Sequence, residues 1–106
     1  MMLAFDTIHP SFDGALTVDF VNLIPSGATL SSGTVTCAIH PGSEVADASA
    51  STRVYGDATV TATTKLKRNF KTGVDGARYV LTFTPTFSDT SIDPIEVVLE
   101  VSKIAA

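Results

Sequence analysis

The chain has 106 residues, a formal charge of −4, 44% hydrophobic and 17% charged residues, and only 2 His, 1 Cys and no Trp. One Cys excludes an internal disulfide or a Cys-rich zinc site, and no apolar run approaches the roughly 18 residues of a membrane helix. The opening Met1–Asp6 lacks a basic segment and meets an acid early, so it does not read as a signal peptide and synthesis in the cytosol is expected. This length suits one domain over residues 1–106, and the β-branched and aromatic content argues against disorder.

Helical periodicity is almost absent, and alternation with a period of two recurs between Gly, Pro, Asp and Ser breaks. Residues 1–14 are read as an N-terminal arm or an edge strand, with Phe5 to Ile8 its strand-like part. A strand from Ala15 to Val21 places Leu16, Val18 and Phe20 on one face and Thr17 and Asp19 on the other. Ile24-Pro25-Ser26-Gly27 turns the chain. The next strand, Thr34 to His40, points Val35, Cys37 and Ile39 inward and ends at Pro41-Gly42. Residues 42–51 form a small, polar loop, followed by a short strand from Thr52 to Tyr55.

A long strand, bent or straight, is expected from Ala58 to Phe70, and Thr72 to Gly76 make a turn. Tyr79 to Thr84 alternates Tyr79, Leu81 and Phe83 with threonines, and Ser88 to Pro94 is a second polar loop. Ile95 to Val101 closes the series with Ile95, Val97, Leu99 and Val101 inward. Short strands at this spacing predict an all-β, immunoglobulin-like β-sandwich of about six to eight antiparallel strands. The expected core is Leu16, Val18, Phe20, Val35, Ile39, Val60, Tyr79, Leu81, Phe83, Val97, Leu99 and Val101. Tyr79 follows an Asp75-Gly76 turn at the start of the penultimate strand, which resembles the tyrosine corner of immunoglobulin-like domains. A buried aromatic that merely begins a strand would read the same way.

No catalytic constellation, cofactor motif or metal-ligand spacing is recognisable, and an enzyme is not expected. Cys37 lies mid-strand with no base or cation beside it in sequence, which suits a small core hydrophobe better than a nucleophile. His9 and His40 each precede a proline at a strand end. Asp89 and Asp93 would hold calcium weakly at best and suit turn capping better. Residues 1–52 carry no Lys or Arg and a charge of −5, and the remainder carries +1. Within that second part Lys65, Lys67, Arg68 and Lys71 cluster, with Arg78 close in sequence, and these five are the candidate partner-binding residues. Three readings compete: lysines guarding an edge strand, a strip that docks on an acidic protein neighbour, and contact with nucleic-acid phosphates. The acidic total disfavours the third.

Leu16-Thr17-Val18-Asp19-Phe20, followed by Gly27-Ala28-Thr29-Leu30-Ser31-Ser32, resembles the fiber-tail adaptor family of small tailed-phage virion proteins. Its pattern is a strand ending in Val-Asp and an aromatic, then a Gly-Asp-Thr-Ile-x-Ser-Ser turn into a strand. Gly76 and Tyr79 fit its Gly-x-x-Tyr step, and Ile95 to Val101 its closing strand. Ala28 replaces the acid, Phe20 stands where Trp is usual, residues 42–57 are longer, and residues 65–71 have no counterpart. The resemblance spans Leu16 to Val101. It implies a non-enzymatic structural protein of a phage or prophage particle, made in the bacterial cytoplasm and incorporated into the virion. It would touch other virion proteins at a tail, fibre or connector interface, in repeated copies of a symmetric assembly; the sequence itself leads to no expectation of a cofactor, metal or membrane and disfavours nucleic acid. The alternatives are a head decoration protein on the capsid lattice and a carbohydrate-binding surface module, whose aromatic platform would come from Tyr55, Phe70 or Phe87.

Overall fold

The computed structural model describes residues 2–5, 7–90 and 92–104; Met1 and Asp6, named above, and residue 91 of the second polar loop lie outside them. The strands are β1 (Met2–Ala4), β2 (Asp13–Asp19), β3 (Leu30–Ile39), β4 (Val54–Thr61), β5 (Lys65–Lys71), β6 (Arg78–Phe87) and β7 (Ile95–Glu100). A short 3-10 turn, Ala50–Thr52, interrupts the loop before β4. Six strands are antiparallel and build two three-stranded sheets, β7-β6-β3 and β2-β5-β4, packed as a sandwich. The short β1 adds to the first sheet, parallel to β7. This strand order is the immunoglobulin-type arrangement. Among the described residues no helix is long and apolar enough to cross a membrane.

The alternation read from the sequence becomes the core. Leu16 and Val18 from β2, Val35 and Cys37 from β3, Tyr79, Leu81 and Phe83 from β6, and Ile95, Val97 and Leu99 from β7 are buried in one cluster. Ile39 and Val60 are only half-buried, because each sits near the end of its strand, where the opposite sheet gives less cover. The cluster also takes Leu30 and Phe87, since β3 and β6 run further than expected, and Leu66 and Phe70 from β5. Pro85 sits in β6 beyond the last pairing with β7, Phe83 with Ile95, so its missing N–H costs no ladder bond on that side.

The long strand expected over 58–70 is instead a hairpin. Val54–Thr61 and Lys65–Lys71 pair antiparallel across the three-residue connection Ala62-Thr63-Thr64. Ala62 and Thr63 adopt φ of +53° and +59°. Such a conformation is ordinarily signalled by Gly, Asn or Asp, so the turn leaves no punctuation in the sequence.

The N-terminal arm is an edge. After β1, Phe5 N–H donates to Val98 O, Ile8 N–H donates to Glu100 O, and Ser102 N–H donates to Ile8 O, which extends the parallel pairing along β7.

The tyrosine corner forms. Tyr79 is fully buried, and its Oη accepts from Val74 N–H at 2.9 Å, five residues upstream. The same hydroxyl donates to Asp47 Oδ2 at 2.7 Å. The corner thus ties the start of β6 to the loop before β4.

Candidate partner-binding surface

The basic residues divide between three places. β5 is the central strand of its sheet, so the edge-guarding reading of Lys65 and Lys67 is incorrect. The hidden turn at Ala62-Thr63 is the reason: it places β4, not β5, on the outside. Lys65, Lys67 and Lys71 share the outer face with Asn69, because side chains repeat every two residues. Asp19 stands directly across from Lys65 on β2, and Asp13 across from Lys71. This face is therefore a basic row bordered by acids at both ends.

Tyr55 completes that face on β4, opposite Asn69. Its hydroxyl donates to Asp13, and Lys71 Nζ lies 4.6 Å from its ring centre. The bond to Asp13 holds the phenol above its ordinary pKa. Phe70 and Phe87, the other two aromatics considered as sugar platforms, are buried and unavailable.

Arg68 points the other way, between Leu66 and Phe70 on the core side of β5. Its stem runs under β4 and its head emerges at the open side of the sandwich, as long cationic side chains do. Nε donates to Gly56 O at 3.1 Å, and Nη1 donates to Val35 O. Its guanidinium therefore bridges the backbone of β4 and β3. A cavity of about 410 Å³ opens there, lined by Arg68 with Gly33, Thr34 and Val35 on one side and Gly56 and Asp57 on the other. Arg78 belongs to the other sheet, where Nε lies 3.4 Å from Glu100. That pair is half exposed, and such pairs contribute little to stability, about 0–1 kcal/mol.

A second polar cluster was not legible in the sequence. Arg53 holds Asp47 with two bonds, Nε to Oδ2 at 2.8 Å and Nη2 to Oδ1 at 3.1 Å. Ser49 N–H donates to Oδ1 at 2.9 Å, and Arg53 Nη1 reaches Thr72 Oγ1 at 3.3 Å. With the Tyr79 bond, this clasp fastens the 42–53 segment to β6. The Arg53 bonds are the main reason the Asp47 carboxyl is held down at about 2. Burial is the main reason the Tyr79 phenol is pushed up to about 12.

Cys37 is buried, and its thiol is pushed up to about 12, first by burial and then by Asp47. A thiol in that state is almost wholly protonated at neutral pH and a poor nucleophile. Native protein should therefore resist iodoacetamide at pH 7.5 for hours, while urea-unfolded protein is alkylated within minutes. Intact-mass spectrometry would show it, and rapid labelling of folded protein would contradict the burial.

His9 Nδ1 lies 2.8 Å from Ser11 Oγ, and His40 Nδ1 accepts Gly42 N–H at 2.8 Å, so both rings cap turns. Among the described residues no three His, Cys, Asp or Glu gather as a metal would require. Neither a family model nor a curated protein matches the chain.

Proposed function

We propose that this chain is a structural protein of a tailed bacteriophage or prophage particle. It acts without catalysis, by protein–protein contact at a tail, fibre or connector interface. The observation that carries the reading is where the residues of the resemblance fall. Leu16 to Asp19 lie on β2, and Phe20 is buried just after it. Gly27, at φ +80°, turns the chain toward β3, where Leu30 enters the core. Ser31 Oγ donates to Thr86 O at 2.8 Å, and Thr29 exchanges bonds with Ser88. Gly76, at φ +81°, leads into β6 and the Tyr79 corner. Each short motif thus has a structural task in one sandwich.

The surface supports a contact role. Threonines fill the outer faces of β3 and β6 as cross-strand pairs, Thr34 with Thr84 and Thr36 with Thr82. Such rows stay soluble and still offer methyls and hydroxyls to a neighbour. Many copies on a symmetric particle would add modest contacts into strong attachment. Mass spectrometry of purified particles from the host that carries the gene tests the reading. Peptides of this chain at a fixed ratio to the major tail protein are expected, and their absence refutes it. Labelling on tails rather than heads separates this role from capsid decoration.

A further inference from the structure

We propose that the groove between β3 and β4 is a docking site for an extended strand of another protein, which adds to the free edge of β3 and places a carboxylate on Arg68. The inference goes beyond the virion reading, because it rests only on the chemistry of the groove.

The first observation is the backbone. Among the described residues β3 is an edge strand, paired with β6 on one side. Along an antiparallel strand, the N–H and C=O of one residue point to the same side, and successive residues alternate. His40 N–H bonds Arg78 O on β6, whereas Val35 O is bonded by Arg68 on the opposite side. Even-numbered residues therefore face β6, and the backbone groups of Gly33 and Val35 face the groove. Edge groups of this kind are templates for an incoming strand. β3 also lacks the usual deterrents, since Leu30–Ile39 contains no charge and no proline.

The second observation is Arg68. Two of its five donors are spent on Gly56 O and Val35 O, which fixes the fork without neutralising it. No salt bridge reaches it among the described residues. A planar guanidinium held this way presents its remaining N–H groups to a carboxylate at little entropic cost. An acidic side chain on the added strand supplies the missing charge.

The third observation is the room. Between Tyr55 and Thr59 the register on β5 shifts, so that Gly56, Asp57 and Ala58 stand opposite Arg68 alone. Gly56 takes φ +69° in this bulge. Bulges bend a strand away from regular pairing and often adjoin binding sites. Here the bulge forms the far wall of the cavity and keeps β4 from closing on β3. Asp57, exposed on the rim, disfavours an occupant that is acidic along its whole length. The fitting partner is thus a mostly neutral β-strand with a single Asp or Glu at its centre.

The test uses the ¹⁵N-labelled full chain and two heptapeptides, Thr-Val-Thr-Glu-Thr-Val-Thr and the same sequence with Gln at the centre. In HSQC titrations the Gly33 and Val35 amides and the Arg68 Nε–H should shift saturably with the Glu peptide. Binding of the Gln peptide should be weaker by about tenfold or more, the range of a hydrogen bond to a charged group. Arg68→Gln should abolish the preference, and Asp57→Asn should tighten binding of the Glu peptide several-fold. If Arg68→Gln does not fold, the peptide pair and Asp57→Asn decide the matter on folded protein. Equal binding of both peptides would overturn the proposal, as would no shift at Gly33 and Val35. Equal shifts with sodium acetate at the peptide's concentration would also overturn it, leaving a small-anion site. Concentration-dependent shifts along β3 without peptide would overturn it in favour of a second copy.

Discussion

Replacing Asp47 by Ala should lower stability by about 2 kcal/mol, between the ranges for an exposed and a buried ion pair. The side chain of Asp47 is 4% exposed and that of Arg53 21%, so the orphaned guanidinium recovers some hydration. Its loss also removes the acceptors for Tyr79 Oη–H and for Ser49 N–H. Urea unfolding followed by far-UV circular dichroism measures the change; a midpoint within error of the parent would show that the clasp is idle. The same carboxylate sets an acid limit. Its pKa is about 2 in the folded chain against 3.8 as a free side chain. A lowered carboxylate pKa means that the unfolded chain takes up the proton first as pH falls. The Asp47 contribution is therefore complete above about pH 4 and is lost progressively as pH falls toward 2. Asp47→Asn should be less stable at pH 7 and should show a shallower loss of stability over that interval.

Replacing Phe70 by Ala should cost about 3–5 kcal/mol, the usual range for emptying a buried aromatic site. Phe70 is fully buried on β5, and its ring meets Tyr79 edge-to-face with centres 5.5 Å apart. It therefore joins the two sheets at the tyrosine corner. Gly73 shows how tightly that corner is filled: a Cβ there would lie 2.7 Å from Val101 Cγ2 and 3.1 Å from Phe70. The neighbours cannot collapse into the space without moving Tyr79, whose hydroxyl is pinned by Val74 and Asp47. The variant should unfold at lower urea with an unchanged denaturant slope. A loss under about 1 kcal/mol would mean that the cavity is refilled.

The sandwich was legible because period-two alternation is a direct consequence of strand geometry. Tyr79, Leu81 and Phe83, and Val97, Leu99 and Val101, reach the core as their spacing requires. Legibility ended where backbone conformation departed from residue preference. Ala62 and Thr63 turn at positive φ without Gly or Asn, so two strands looked like one. That one misreading hid Leu66 and Phe70 from the expected core and made Arg68 look like part of a surface strip. It also made a central strand look like an edge. Asp47 and Arg53 were invisible for another reason. Their loop has no periodicity, and the further partners that join the two side chains, Tyr79 and Thr72, come from β6 and the turn before it. Of the five candidate residues, Lys65, Lys67 and Lys71 share a face, Arg68 lines the groove, and Arg78 stands on the other sheet.

The strand order has a consequence for biosynthesis. The β2-β5-β4 sheet can be complete once Lys71 has left the ribosome, and its apolar side then displays Leu16, Val18, Leu66 and Phe70. Of the facing sheet only β3 precedes it, and β3 has no ladder partner before β6 exists, so that side stays largely uncovered until β6 and β7 follow. A nascent chain with Lys71 but not Arg78 outside the ribosome would hold a finished half-sandwich with a sticky inner surface. Chaperone demand during translation should thus peak over a short, definable window, and it should end abruptly as residues 78–100 leave the ribosome.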